Sequence, residues 1–345
     1  MSQRYSWLVG IAVSILAVAL TWMVSDFRLS QFARVAAFAV AMLGLNLLTG
    51  FNGQISLGHG AFMGIGMYTV AITNREWGLS YPVAFVLAAG LCFIVGILVG
   101  IPALRLPGIS LALITLAMAL AFPQVLRKFE SLTGGVQGIV IPGRRKFESP
   151  EWTGLTNDQF QYVTVVAVTM LAFFIGWNLT RGRWGLAMMA IRDNPVSAAS
   201  MGVNLPRTKV FTFAISAAFA GLGGAMTMML VNFASPESVS LAVSISLLTG
   251  IVIGGLGTVA GAVIGGLFVV YMPNWAYEIN QAAPGVVYGV IIILVMLLAP
   301  GGVMGLLRRA RVFLTRKSGR ETAAAEEAAA FPTTVDDPVP TATGI

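Results

Sequence analysis

The chain has 345 residues, 57% hydrophobic and 10% charged, with a formal net charge of +7. A soluble domain averages about 25% charged residues, so this composition excludes one and points to an all-α polytopic membrane protein. The basic excess lies in loops without interleaved aromatics, which argues for anchoring at a cytoplasmic membrane face and against nucleic-acid binding, and the single cysteine, Cys92, rules out an intrachain disulfide or a cysteine metal cluster.

A bilayer core takes about 20 apolar residues as helix. The first apolar run, 7–24, follows Arg4 and continues into "WMVSDF" without an A-x-A-like cleavage site. It reads as a transmembrane helix and not as a signal peptide. Further spans are expected at 32–49, 55–73, 82–103, 109–126 and 160–180, then at 210–231, 240–272 and 286–306.

Charge sets the topology. Loop 181–209 carries Arg181, Arg183, Arg192, Arg207 and Lys209, and the segment after 307 carries six more basic residues. Both should be cytoplasmic. An even number of crossings must separate them, so 240–272 counts as two passes or a re-entrant pair. Its "GIVIGGLGTVAG" offers Gly254, Gly255 and Gly257 as a helix break. Each half is about 16 residues, roughly 24 Å of helix, short of a span of roughly 30 Å. The halves are expected to pack inside the bundle. The total is about ten helices with both termini inside, and eight or nine fit the charge count as well. Loop 127–159 is then extracytoplasmic. Residues 1–317 form the transmembrane domain. From 318 the chain turns Ala-, Glu-, Pro- and Thr-rich, the composition of a disordered cytoplasmic tail.

The stretch 44–68, "GLNLLTGFNGQISLGHGAFMGIGMY", places Asn46, Asn52, Gln54, Ser56 and the chain's only histidine, His59, in a run with six glycines between Gly50 and Gly66. Two readings stand open. One is a helix–helix corner, with Asn52-Gly53 as a turn. The other is a broken helix whose polar groups line a solute path, since irregular backbone at membrane depth is tolerated where it is protein-buried or lines a cavity. In loop 181–209, Asn194 is a good N-cap, Pro195 suits the first helical position and Gly202 suits the position after a helix. They delimit a short helix, Pro195 to Met201, with Met201 or Val196 packed on a partner or on the bundle. It is either an interfacial linker or a docking knob for a cytoplasmic partner. Gly-x-x-x-Gly pairs such as Gly60/Gly64, Gly250/Gly254 and Gly261/Gly265 favour close helix packing over a site.

The chemistry-bearing signals are few. The sequence has no G-x-x-x-x-G-K-[ST] phosphate loop, no H-E-x-x-H zinc motif and no paired carboxylates in its spans. No catalytic residue, metal site or cofactor is expected. The near-absence of Asp and Glu from the spans disfavours an ion-coupled carrier.

"LGLNLLTGFNGQISLGHGAFMGIGMYTVA", "RLPGISLALITLAMA", "LTGGVQGI", "AIRDNPVSAASMGVNLPRTKVFTFAISAAFAGLGGA" and "SPESVSLAVSISLLTGIVIGGLGTVAGAVIGG" together resemble branched-chain amino-acid ABC transporter permeases of the LivM type, over about residues 36 to 306. The resemblance implies an ABC importer permease in a prokaryotic inner membrane. It would pair with a LivH-like second permease, two cytoplasmic ATPase subunits and an extracytoplasmic substrate-binding protein, and import leucine, isoleucine and valine. It places Arg192, Asp193, Asn194, Pro195, Ala199, Met201 and Gly202 at the ATPase contact. The stretch "GISLALITLAMALAFPQ" and Val136-Gln137 depart from the family pattern. That leaves importers of urea, amides or other amino acids as the alternative, with a passive channel as the rival from another class.

Overall fold

The computed structural model describes residues 21–103, 110–143 and 147–279, together with 289–290, 293–294, 297 and 301–309. Most of the expected span 7–24, ten of the 21 residues of 286–306 and the tail from 318 lie outside the described residues. The helices are α1 (Asp26–Asn46), α2 (His59–Trp77), α3 (Tyr81–Ala103), α4 (Ser110–Lys128), α5 (Asn157–Arg181), α6 (Arg183–Asp193), α7 (Pro195–Ser200), α8 (Leu205–Val231), α9 (Leu241–Gly254) and α10 (Val259–Ile279). Six segments among the described residues are long and apolar enough to cross a membrane, the first being Asp26–Phe51. The chain has two compact units, 1–304 and 305–345. The bundle belongs to the first, and of the second residues 305–309 are described, as helix.

Small residues set the packing. Helix α8 lies against α1, α2 and α3. A Cβ on Gly66 would run into the Gly221 carbonyl, and one on Gly224 into that of Met63. A Cβ on Gly223 would stand 2.7 Å from the Ala37 carbonyl oxygen. Bare backbones in these rows let four helices approach closely without a hydrophobic driving force between them. The Gly-x-x-x-Gly pairs act the same way: Gly254 faces Gly261, and Gly265 faces Gly250, sealing α9 to α10. On the opposite side α3 presents Val86, Leu91, Ile94 and Leu98 outward, as a lipid-facing stripe does.

Helix ends follow local chemistry. Helix α2 stops at Gly78, φ +62°, whose N–H donates to Asn74 while Leu79 N–H donates to Thr73. This pair of bonds satisfies the last carbonyls. Helix α5 opens with a capping box, Thr156 and Gln159 bonding each other's backbone N–H. Helix α8 ends at Asn232, the one non-glycine with positive φ among the described residues. Beyond it a two-residue strand, β2 (Phe233–Ala234), pairs antiparallel with β1 (Ile139–Val140). This strap ties the far end of α8 to loop 127–159.

The two ends of α1 mark two faces of the bundle. At its start Asp26 accepts from the Thr156 hydroxyl, in loop 127–159. Past its other end the Gly50 carbonyl accepts from Arg192, in loop 181–209. The two loops therefore sit at opposite ends of a helix about 30 Å long.

Three local expectations change. Loop 181–209 is largely helical: α6 precedes the expected short helix, because "WGLAMMAI" packs Gly185, Met188 and Ile191 inward. The 240–272 stretch does break at its glycines, but α10 continues through Pro273 to Ile279. It is about 31 Å long, and α9, with 14 residues, reaches spanning length together with the turn before it, as Pro236–Gly254. The third change is a π-helical turn, Leu47–Phe51, that extends α1.

Candidate functional site

Between the π-helical turn and α2 the backbone of residues 52–58 is irregular and lies inside the bundle. Backbone groups of this stretch and of Gly60 find partners on three elements. Gln54 N–H donates to the Leu48 carbonyl at 3.1 Å, and the Thr49 hydroxyl donates to the Gln54 carbonyl at 3.0 Å. Leu57 N–H donates to Thr115 Oγ1 on α4 at 3.0 Å. Gly60 N–H, in the first turn of α2, donates to Ser244 Oγ on α9 at 2.9 Å. A buried unpaired backbone group is costly, and unwound backbone persists in a membrane protein only when so satisfied. Hydroxyls inside spans supply the missing partners.

His59 is fully buried and fully bonded. Its Nε2 lies 2.6 Å from Ser216 Oγ on α8, and Ser216 in turn donates to the Gly44 carbonyl at 2.6 Å. Ser216 has spent its proton on Gly44, so Nε2 must be the donor. Nδ1 is then the acceptor, taking the Ser56 hydroxyl proton at 3.0 Å, while Ser56 Oγ accepts from Gly58 N–H at 3.3 Å. The network assigns a neutral imidazole of one tautomer. Phe62 and Phe213 stand edge-on to the ring at 6.1 and 6.5 Å.

Asn46 is equally committed. Its Nδ2 donates to the Thr258 carbonyl at 2.7 Å, and its Oδ1 accepts from Gly257 N–H at 2.9 Å. One amide thus clamps the turn between α9 and α10. That turn needs its glycines: Gly255 has φ +120° and Gly257 φ +71°, a left-handed region that costs other residues about 1–2 kcal/mol. Gly254 closes α9 against Gly261.

Arg192, at the end of α6, reaches the same place. Its Nη1 donates to the Gly50 carbonyl at 2.8 Å, and its Nε and Nη2 bond Asp193 at 3.0 Å. Its aliphatic stem covers Gly53, φ +71°, where a Cβ would sit 2.9 Å from Arg192 Cγ. The residues expected at a partner contact therefore divide. Arg192 stays 40% exposed, with its Nη1 on the Gly50 carbonyl. Asn194 caps α7, accepting from Val196 and Ser197 N–H at 3.0 Å each, with Pro195 in the first turn. Ala198 faces inward, Ala199 and Asp193 face out, and Val196 and Met201 are 77% and 86% exposed. Neither apolar side chain packs on the bundle. Gly202 ends the knob at φ +84° in open space.

Asn52 and Gln54 differ from all of these. Both are buried, 2% and 8% exposed. Their four amide atoms have no hydrogen-bond partner among the described residues.

Sequence reasoning singled out Asn46, Asn52, Gln54, Ser56, His59, Arg192 and the Gly254–Gly257 break as separate features. The structure gathers Asn46, Gly50, Gly53, Arg192 and Gly257 into one cluster, with Ser56 and His59 in a second network deeper along α8. It missed Thr115, Ser216, Ser244 and Thr258. Their only signal was a hydroxyl inside an apolar run, as in "ITLAMA", "AISAAF" and "VSISLL".

Comparison with known proteins follows this geometry. The family model described as branched-chain amino acid transport system / permease component matches residues 28–299. The chain is 30% identical to the high-affinity branched-chain amino acid transport system permease protein LivM of Salmonella typhimurium, over 90% of this chain and 76% of the relative. Against LivM of Escherichia coli it is also 30% identical, over 86% and 75%. Against the permease protein LivH of Salmonella typhimurium it is 26% identical, over 78% and 92%. No solved structure matches. The broken α1–α2 stretch and the α9–α10 turn both fall within the matched region, and the chain belongs to the permease-component family of branched-chain amino acid transport systems, as a multi-span membrane transport subunit and not an enzyme.

Proposed function

We propose that the chain is one permease subunit of an ATP-driven importer of leucine, isoleucine and valine in a prokaryotic inner membrane. The names of its relatives support the substrate. A LivH-like permease would supply the other half of the path, two ATPase subunits would dock on loop 181–209, and a binding protein would deliver solute at the face of loop 127–159. Both termini then lie in the cytoplasm.

One observation carries the mechanism: Arg192, three residues ahead of the exposed knob α7, holds the Gly50 carbonyl at the broken stretch. A push on Val196 and Met201 from a partner moves α6 and α7. Arg192 passes that motion to residues 50–54, and Asn46 passes it to the turn at Gly257. The stretch Asn46–His59 is the path wall that the movement opens and closes. It is neutral, so it eases a zwitterion through without a tight charged site that would hinder release.

The test is reconstitution of the chain with its second permease, ATPases and binding protein in proteoliposomes. Leucine uptake should require ATP and all four components. Uptake that persists without the ATPases would identify a passive channel, and uptake of urea in preference to leucine would reassign the substrate.

A further inference from the structure

Five polar residues stand in the broken stretch, and their hydrogen-bonding capacity is unequally spent. Asn46 uses both ends of its amide on the α9–α10 turn. Ser56 and His59 are consumed in the chain from Gly58 to Gly44. Asn52 and Gln54 alone keep two donors and an acceptor each, in burial, with no protein partner among the described residues. An unpaired buried amide is destabilising, and two of them flank one glycine.

Backbone geometry aims them together. Gly53 and Ile55 face outward, whereas Asn52, Gln54 and Ser56 are buried. Gly53, between Asn52 and Gln54, has a left-handed φ of +71°, with the Arg192 stem beside it. Their Cα atoms are at most about 7 Å apart, two links of the chain. The formal charges beside them, Arg192 and Asp193, are already paired with each other.

We infer that Asn52 and Gln54 are the solute-contacting pair of this permease, a neutral subsite for the head group of a zwitterionic amino acid, while Asn46, Ser56 and His59 only frame it. The inference rests on the path reading above and assigns its chemistry. An amide's N–H donors suit a carboxylate and its carbonyl suits an ammonium. Two amides therefore serve both ends of a zwitterion and give no advantage to a solute of net charge. Urea shares the same donor-and-acceptor chemistry, so the two must be separated by experiment.

The assembled transporter in proteoliposomes provides the test. The double variant Asn52→Leu with Gln54→Met keeps side-chain size and removes the unpaired amides. The expected result is an unfolding temperature equal to or above that of the parent, with leucine uptake down about ten-fold or more, while ATP hydrolysis stimulated by the binding protein persists. A lower unfolding temperature, or uptake that matches the parent, would overturn the inference. A second measurement uses Asn52→Cys and Gln54→Cys, each in a Cys92→Ala background, with a small water-soluble thiol reagent and mass spectrometry of this chain. Both cysteines should be modified and both should be protected by leucine, whereas Ser56→Cys should stay unmodified. Protection by urea alone would overturn the amino-acid assignment, and modification that no solute slows would overturn the subsite. If the parent transporter shows no ATP-driven uptake, the path reading fails first, separately from the pair.

Discussion

Arg192 Nη1 donates to the Gly50 carbonyl across 2.8 Å, although 142 positions separate them in sequence. A side chain from the loop that carries the exposed knob thus supports the irregular backbone inside the bundle. The bond is charge-assisted, and such bonds are worth about 1.5–3 kcal/mol each. In the proposed mechanism the link joins the two parts of the chain that move together.

Asn46 is the clamp on the other side of that backbone, so its replacement is a stability event. Asn46→Ala leaves Thr258 O and Gly257 N–H without their partner and should destabilise by about 2–4 kcal/mol. Asn46→Asp keeps the size and the acceptor for Gly257 but sets a carboxylate oxygen against the Thr258 carbonyl in a buried site, and should destabilise at least as much. Thermal unfolding in detergent measures both. A melting temperature for Asn46→Ala within a degree of the parent's contradicts the clamp.

His59 should behave as a framing residue with an ordered substitution series. Gln can place an amide N–H near the Nε2 position and keep the bond to Ser216, whereas Ala keeps nothing. Stability should therefore run parent, then His59→Gln, then His59→Ala. The Ala variant should lose about 2–4 kcal/mol through the stranded Ser56 and Ser216 hydroxyls and the cavity. An Ala variant as stable as the Gln variant removes the assigned network.

Gly202 separates backbone strain from contact. Its φ of +84° is disfavoured for residues with a Cβ, yet an added Cβ would meet nothing within 4 Å. Gly202→Val should cost about 1–2 kcal/mol locally through backbone strain alone and misplace the knob, lowering uptake while membrane insertion stays normal. Gly202→Asn, which tolerates the left-handed region, should recover most of the uptake. Equal uptake by the Val and Asn variants would show that the knob's end conformation is irrelevant to transport.

Much of this organisation was legible in the sequence, for physical reasons. The short helix α7 was bounded correctly because Asn194, Pro195 and Gly202 are local signals that need no tertiary context. The break at Gly255–Gly257 was legible because three glycines close together interrupt a long apolar run. Helix α6 was not, since its basic flanks read as loop. The bond from Arg192 to Gly50 was hidden because an arginine beside Asp193 reads as a surface pair, and only the fold brings Gly50 to it. The division within the polar stretch was equally invisible, because Asn46 and Asn52 are the same residue type six positions apart. One has partners on the α9–α10 turn, and the side chain of the other has none among the described residues.

The central claim is that the knob and the path wall are coupled through Arg192, and the ratio of leucine imported to ATP hydrolysed tests it most directly. In the reconstituted transporter, Arg192→Ala should keep ATP hydrolysis that responds to the binding protein while the ratio drops about ten-fold or more, the effect of one lost charge-assisted hydrogen bond. A variant with the parent's ratio would contradict the account.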